Sequence, residues 1–165
     1  YSVSPDDRLQ LRLHGKGFIF DNARRKHGTL MHEVLSRIRT PKDIPASVES
    51  YRLAGVINRE EAAELISRLE ELLQAEEVKA WYDGSARVLN EVDILFGKGL
   101  SKRPDRVIIK GGKVIVVDYK FGERQDKRHP NQVRNYLQLI RKMGFERVDG
   151  YLWYVELGKI EAVNK

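Results

Sequence analysis

Short segments in which apolar and polar residues alternate, or in which β-branched residues cluster, recur along the chain and predict β-strands. Between two of these segments lies Lys110-Gly111-Gly112, a tight-turn signal that predicts a β-hairpin. A second hairpin is predicted around Leu157-Gly158. The predicted strands cover residues 9–13, 18–20, 88–96, 105–109, 114–119, 150–155 and 159–163.

Apolar residues three and four positions apart predict helices elsewhere. One covers residues 26–38, where Leu30, Val34, Leu35 and Ile38 form an apolar stripe, and another covers residues 131–143. Residues 43–82 are interpreted as a helical insert, within which Asn58 and Glu61 form a capping box. This order predicts an α/β fold in which helices flank a mixed central β-sheet.

Composition narrows the class of protein. A chain of 165 residues with 33% charged and 41% hydrophobic residues is typical of one soluble globular domain, and no apolar run predicts a membrane partner. The absence of cysteine excludes disulfides and cysteine-ligated iron–sulfur clusters. A net charge of +6 favours a polyanionic partner, most commonly nucleic acid. The chain begins at Tyr1 rather than Met, which is interpreted as a fragment of a longer protein.

The strongest chemical signal is a pair of aspartates followed by a lysine. Asp118 and Lys120 lie two apart on a predicted strand and so share a face, and the predicted hairpin brings Asp105 beside them. Two carboxylates and an ammonium group suit metal-assisted phosphodiester cleavage, since hard oxygens hold Mg²⁺ and a cation steers water or phosphate. The alternative is a surface ion pair.

Three other residues could join this group. His32 lies at the margin of the apolar stripe of the first helix, where it is either a site residue or a structural histidine. Gln132 and Tyr136 share a helix face that is offset from the core stripe of their helix. They either reach DNA and the metal-site strand or belong to an ordinary amphipathic helix.

Further charged residues flank the predicted hairpin in the sequence. Glu91 shares a strand face with Asp93 and either adds a carboxylate to the site or is solvated. Arg124, Lys127 and Arg128 form a basic run that either contacts DNA phosphates or marks a solvated face.

These motifs together resemble the RecB-like branch of the PD-(D/E)xK nuclease superfamily, and most of all the nuclease domain at the C-terminal end of UvrD/Rep-type helicases of the AddA/RecB group. The resemblance runs from about Leu9 to the C-terminus. The matching segments, in the order of that family, are Gly28-x-x-x-His32, Glu91, Asp105, Asp118-Tyr119-Lys120 and Gln132-x-x-x-Tyr136.

The resemblance implies a restriction-endonuclease-like core and hydrolysis of DNA that depends on Mg²⁺ or Mn²⁺. It implies that metal is bound by the side chains of His32, Asp105 and Asp118 and by the carbonyl of Tyr119. Lys120 would orient the attacking water or stabilise charge on the phosphate. Glu91 would add an acidic group to the catalytic set, and Gln132 and Tyr136 would shape the site and hold DNA.

The same resemblance implies a biological setting. We expect an exonuclease domain in DNA repair or recombination, joined to helicase domains that deliver a single strand, with an AddB-like partner subunit and a bacterial cytoplasmic, nucleoid-associated location. The lack of cysteine excludes the iron–sulfur cluster that AddB carries. The alternative is a nuclease-like DNA-binding or scaffolding module that does not cut.

Overall fold

The structure is a computed structural model that describes residues 16–90, 94–95, 101–122 and 124–163. The chain divides into two units, Tyr1–Glu33 and Val34–Lys165. The helices are α1 (Lys16–Arg37), a 3₁₀ turn (Pro41–Asp43), α2 (Ile44–Leu53), α3 (Arg59–Leu72), α4 (Glu76–Lys79) and α5 (Arg128–Lys142). The strands are β1 (Arg87–Asn90), β2 (Ile94–Leu95), β3 (Ser101–Lys102), β4 (Arg106–Lys110), β5 (Lys113–Lys120), β6 (Arg147–Tyr154) and β7 (Lys159–Val163).

Five strands form one mixed sheet in the order β1-β4-β5-β6-β7. All neighbours in it are antiparallel except β5 and β6, which run parallel. A parallel pair needs a crossover connection, and helix α5 lies in the chain between these two strands. Strands β2 and β3 pair in a separate two-stranded sheet. The predicted α/β fold with a mixed sheet is therefore confirmed. In the described part of the chain, no helix combines the length and apolar character that crossing a membrane requires.

The β4–β5 hairpin forms where the sequence predicts it. Lys110 pairs with Lys113, and the two residues between them, Gly111 and Gly112, have φ angles of 56° and 75°. Left-handed backbone at both central residues is the mark of the tight hairpin turn that favours glycine. The turn fixes the register of the whole hairpin.

Helix α5 packs against one face of the sheet, where the apolar core cluster lies. It approaches β6 closely because Gly150 has no side chain. A Cβ atom at this position would lie 2.6 Å from Val133 Cγ1 and 3.0 Å from Leu137 Cδ1. The glycine therefore sets the separation between the helix that carries Gln132 and Tyr136 and the sheet.

The opposite face of the sheet is covered by aromatic side chains from the segment after α4. The ring centroid of Trp81 lies 5.4 Å from that of Tyr151 and 6.1 Å from that of Trp153. The hydroxyl groups of Tyr82 and Tyr119 lie 2.7 Å apart, and Tyr82 also donates to the carbonyl of Leu35 at 3.3 Å. Tyr119 therefore projects away from the face that carries Asp118 and Lys120.

Arg106 is the first residue of β4 and is completely buried on the aromatic face. Its guanidinium donates to the carbonyl of Ile38 at 2.9 Å and to the carbonyl of Trp81 at 2.9 and 3.2 Å. It also lies 3.8 Å from the ring centroid of Tyr82. The planar fork of arginine suits several carbonyl acceptors at once. Arg106 thus ties the end of α1 and the segment after α4 to the strand that follows Asp105.

We predict that Arg106→Met lowers the free energy of unfolding by about 3 kcal/mol, because the buried carbonyls of Ile38 and Trp81 lose their donors. Urea denaturation followed by circular dichroism measures the change. Arg147→Met, at an exposed position at the start of β6, is the matched control and should change stability by less than about 0.5 kcal/mol. Equal effects of the two substitutions would contradict this role of Arg106.

Helix predictions are confirmed in part. Residues 43–82 contain helices α2, α3 and α4, while their status as an insert stays a prediction. The Asn58–Glu61 capping box is confirmed by reciprocal hydrogen bonds of 2.7 and 2.8 Å. Helix α5 starts at Arg128 rather than 131, because Pro130 falls within the first turn, where a missing N–H is tolerated.

Some strand predictions are wrong. Residues 18–20, predicted as a strand, lie inside helix α1. The prediction failed because the pattern of a short apolar run does not distinguish a strand from a helix. The segment predicted as one strand over 88–96 supplies β1 to the large sheet and β2 to the small one. The strand predicted over 9–13 lies outside the described residues.

Candidate active site

The β4–β5 register places two carboxylates together at the open end of the hairpin. Arg106 pairs with Val117, so the preceding residue, Asp105, falls opposite Asp118. Asp105 Oδ2 accepts a hydrogen bond of 2.7 Å from the backbone N–H of Tyr119. Asp105 is half-buried and Asp118 is buried, with 2% of its surface exposed. The two carboxylates therefore meet at the rim of the core.

The buried carboxylate of Asp118 has an ion-pair partner, but one of its oxygens accepts no hydrogen bond from the described residues. Lys120 Nζ lies 2.6 Å from Asp118 Oδ2, but this contact lacks hydrogen-bond geometry, and no described residue donates a hydrogen bond to that buried oxygen. Burial and then the charge of Asp105 raise the pKa of Asp118 to about 6, against the opposing effect of Lys120. A buried carboxylate beside a second one favours an additional cation.

A chain of hydrogen bonds holds Lys120 in place. Lys120 Nζ donates to Gln132 Oε1 at 3.1 Å, and Gln132 Nε2 donates to the hydroxyl of Tyr136 at 2.9 Å. That hydroxyl donates to the carbonyl of Arg103 at 3.0 Å. The first turns of α5, the end of β5 and the segment before Asp105 are thus connected through polar groups.

The position of the Tyr136 ring differs from the one that the sequence predicts. Its ring was expected on a face offset from the apolar stripe of the helix, but it is buried in the core cluster with Val133 and Leu137. Only its hydroxyl reaches the polar chain, because tyrosine combines an apolar ring with a polar tip. The shared face of Gln132 and Tyr136 therefore runs along the boundary between the core and the site.

The structure gives no position relative to this group for two predicted residues. His32 is half-buried on α1 within the first unit, and Glu91 lies outside the described residues, as does Asp93. Within residues 16–90, 94–95, 101–122 and 124–163, no three histidine or acidic side chains converge as a metal cluster. The roles of His32 and Glu91 stay predictions.

The three basic residues of the predicted DNA contact differ in their surroundings. Arg124 and Lys127 are exposed. Arg128 is 88% exposed, but its guanidinium holds the Asp126 carboxylate at 2.6 Å, which lowers the pKa of Asp126. Part of the charge of Arg128 is therefore neutralised locally.

Sequence reasoning missed two residues near the site. Arg106 lies two residues before buried Ile108 on β4, so the two side chains share a strand face. This spacing is the sequence signal that could have indicated a buried arginine. His129 belongs to no motif of the sequence, yet its ring contacts Tyr154, the residue paired with Lys120. No local pattern could have found this contact, because it joins elements 25 residues apart.

The fold and the paired carboxylates at a strand end define a nuclease-like α/β domain. Residues 8–165 match the model of the PD-(D/E)XK nuclease superfamily, and the chain belongs to that superfamily. Comparison with curated proteins gave no significant match. Membership indicates a hydrolase that acts as a nuclease and binds DNA, and nucleases of this superfamily typically use divalent metal ions.

The described residues fit a divalent cation. Asp105 and Asp118 supply hard oxygens, and the buried Oδ2 of Asp118 accepts no hydrogen bond from the described residues. The side chain of Tyr119 bonds to Tyr82 on the other face, so only its backbone can act at the site. Mg²⁺ typically keeps several water ligands beside one or two carboxylates.

We predict that, in EDTA, Asp118→Asn is more stable than the wild type above pH 6 by up to about 3 kcal/mol. The pKa of Asp118 is higher in the folded chain than in the unfolded one. The wild type therefore loses stability as the pH rises from about 4 to about 6, and the variant lacks this loss. Urea denaturation at a series of pH values across this range measures the free energy of unfolding of the wild type and of the variant. A stability difference that is constant with pH would contradict the raised pKa.

Proposed function

We propose that this chain is a divalent-metal-dependent deoxyribonuclease domain of the RecB/AddA-like branch. In this proposal it acts as an exonuclease in DNA repair or recombination and forms the C-terminal part of a UvrD-like helicase. The observation that carries the proposal is the convergence of Asp105, Asp118 and Lys120 at the open end of the β4–β5 hairpin. This is the chemistry that phosphodiester hydrolysis requires.

Asp105 and Asp118 are the proposed metal-binding carboxylates, with Mg²⁺ or Mn²⁺ as the cation. His32, the carbonyl of Tyr119 and Glu91 are the remaining residues of the proposed site. When bound, the cation supplies Lewis-acid activation of the phosphate and a lowered pKa for water. The backbone N–H of Tyr119 holds Asp105 in place opposite Asp118, so both carboxylates lie at the proposed cation site.

Lys120 is the proposed group that acts on the reacting phosphate or water. Asp118 and Gln132 hold its ammonium at the site, with Lys120 only partly exposed. A fixed cation at this position stabilises negative charge that develops on the phosphate oxygens. Tyr136 supports the arrangement because its hydroxyl orients the amide of Gln132.

The proposed substrate is a DNA strand, delivered as a single strand by helicase domains in the same chain. The net charge of +6 supports a polyanionic partner. Arg124, Lys127 and Arg128 are the proposed phosphate contacts in the loop and first turn before Gln132. An AddB-like partner subunit and a bacterial cytoplasmic, nucleoid-associated location belong to the same proposal.

A second function is a nuclease-like module that binds DNA without cutting it. The observation that favours it is the basic surface, since the net charge is +6 and the side chains of Arg124 and Lys127 are exposed. Binding would then depend on the basic residues and would be insensitive to the divalent ion and to Asp118→Ala.

We predict that the wild type cleaves end-labelled single-stranded or linear duplex DNA in Mg²⁺ or Mn²⁺ and not in EDTA. Asp118→Ala and Lys120→Ala should each lower the cleavage rate by at least about 100-fold, because the first removes a proposed metal ligand and the second removes the group proposed to act on the reacting phosphate or water. Gel analysis of the products measures the rate and reports cleavage polarity.

Lys113→Ala is the matched control, since Lys113 lies at the other end of β5 and pairs with Asp149. Its cleavage rate should stay within about twofold of the wild type. DNA binding without cleavage by the wild type in either metal would favour the non-cutting module. Equal activity of the wild type and Asp118→Ala would refute the assigned site.

A further inference from the structure

A histidine–tyrosine pair adjoins Lys120 on the face of the sheet that carries α5. Tyr154 of β6 pairs in parallel register with Lys120 of β5, so their side chains leave the sheet on the same face. Tyr154 is buried, with 1% of its surface exposed, and belongs to the core cluster. Neighbouring strands lie about 4.8 Å apart, so Tyr154 lies immediately beside Lys120.

His129 lies in the first turn of α5 and covers the outer edge of Tyr154. The two ring centroids are 5.8 Å apart with an interplanar angle of 41°, and His129 Nδ1 lies 3.3 Å from the Tyr154 hydroxyl. The histidine is half-buried, so part of the residue remains accessible to solvent. Among the described residues, Tyr154 is the one that hydrogen-bonds to this ring.

The hydrogen bond between His129 Nδ1 and the Tyr154 hydroxyl fits the neutral tautomer of histidine that carries its hydrogen on Nε2. Burial raises the pKa of Tyr154, so its hydroxyl is protonated at neutral pH and can donate to Nδ1. Burial and the charge of Lys120 lower the pKa of His129, which favours the neutral ring. A neutral imidazole that accepts at Nδ1 carries its hydrogen on Nε2. When Tyr154 is the donor, His129 has an N–H donor at Nε2, in a ring close enough to Lys120 for that charge to lower the pKa of the histidine.

We propose that His129 Nε2–H binds a phosphate oxygen of the nucleic-acid strand, at a phosphate next to the one that is cleaved, and that Tyr154 is a positioning residue for this ring. The proposal rests on the proposed function, because it extends the same strand path from Lys120 to the start of α5. A phosphate is the ligand this place favours, since Lys120 and the exposed Lys127 add positive charge around the donor.

The test measures binding and cleavage separately in the full chain. Anisotropy of a fluorescein-labelled oligothymidylate in EDTA gives the Kd, and steady-state cleavage in Mg²⁺ gives KM and kcat. We expect His129→Ala to raise Kd and KM about five- to tenfold, the effect of one lost phosphate hydrogen bond, with kcat changed by less than about twofold.

Two replacements separate hydrogen bonding from packing. His129→Gln keeps an N–H donor and should recover most of the affinity, whereas His129→Phe keeps a stacked ring without a donor and should bind as weakly as His129→Ala. Tyr154→Phe should weaken binding, and it should add nothing further in the His129→Ala background. Gln138→Ala, on the exposed surface of the same helix, is the control and should match the wild type.

A neutral methylphosphonate placed at successive positions of the strand locates the contact. One position should weaken the wild type and leave His129→Ala unaffected. Wild-type affinity in His129→Ala, or in His129→Phe, would overturn the proposal. Loss of affinity in His129→Ala without cleavage by any variant would support the phosphate contact while refuting the nuclease function, so the two failures are distinguishable.

Discussion

The candidate site depends on the register of the β4–β5 hairpin. The turn at Gly111-Gly112 fixes the pairing, and the pairing places Asp105 opposite Asp118. Because side chains alternate along a strand, the same register sends Arg106 to the opposite face. A slip of one residue would exchange the two, burying a carboxylate among aromatic rings and removing the arginine from its carbonyl acceptors. The geometry of the candidate site and the packing of the aromatic face therefore depend on one turn.

The two buried charged residues of this hairpin, Arg106 and Asp118, differ in how completely their polar atoms are hydrogen-bonded. Arg106 is completely buried, and backbone carbonyls and the ring of Tyr82 surround its guanidinium. Asp118 is buried beside a second carboxylate and retains an oxygen that no described residue satisfies by hydrogen bonding. Removal of a buried charge that is fully paired destabilises a fold because its partners lose their bonds, whereas a carboxylate with a raised pKa is typical of a functional site. The contrast indicates which face of the sheet carries chemistry.

Local signals in the sequence predict the hairpin, the Asn58 cap and the shared face of Asp118 and Lys120, because each depends on a few neighbouring residues. The burial of the Tyr136 ring is not predicted, because helical spacing gives the direction of a side chain around the helix but not how deeply its ring packs. The burial of Arg106 and the contact of His129 with Tyr154 involve distant segments. Tertiary contacts of this kind leave no periodic trace in the sequence.

In the proposed site, Asp105 and Asp118 together hold a divalent cation. Isothermal titration of Mn²⁺ into the chain tests it directly, with Asp105→Asn, Asp118→Asn and Lys120→Met measured alongside the wild type. The account predicts that either aspartate substitution weakens Mn²⁺ binding by at least about tenfold, since each removes a charged oxygen ligand. Lys120→Met should bind as tightly or more tightly, because a competing cation is gone. Wild-type affinity in both aspartate variants would contradict the account.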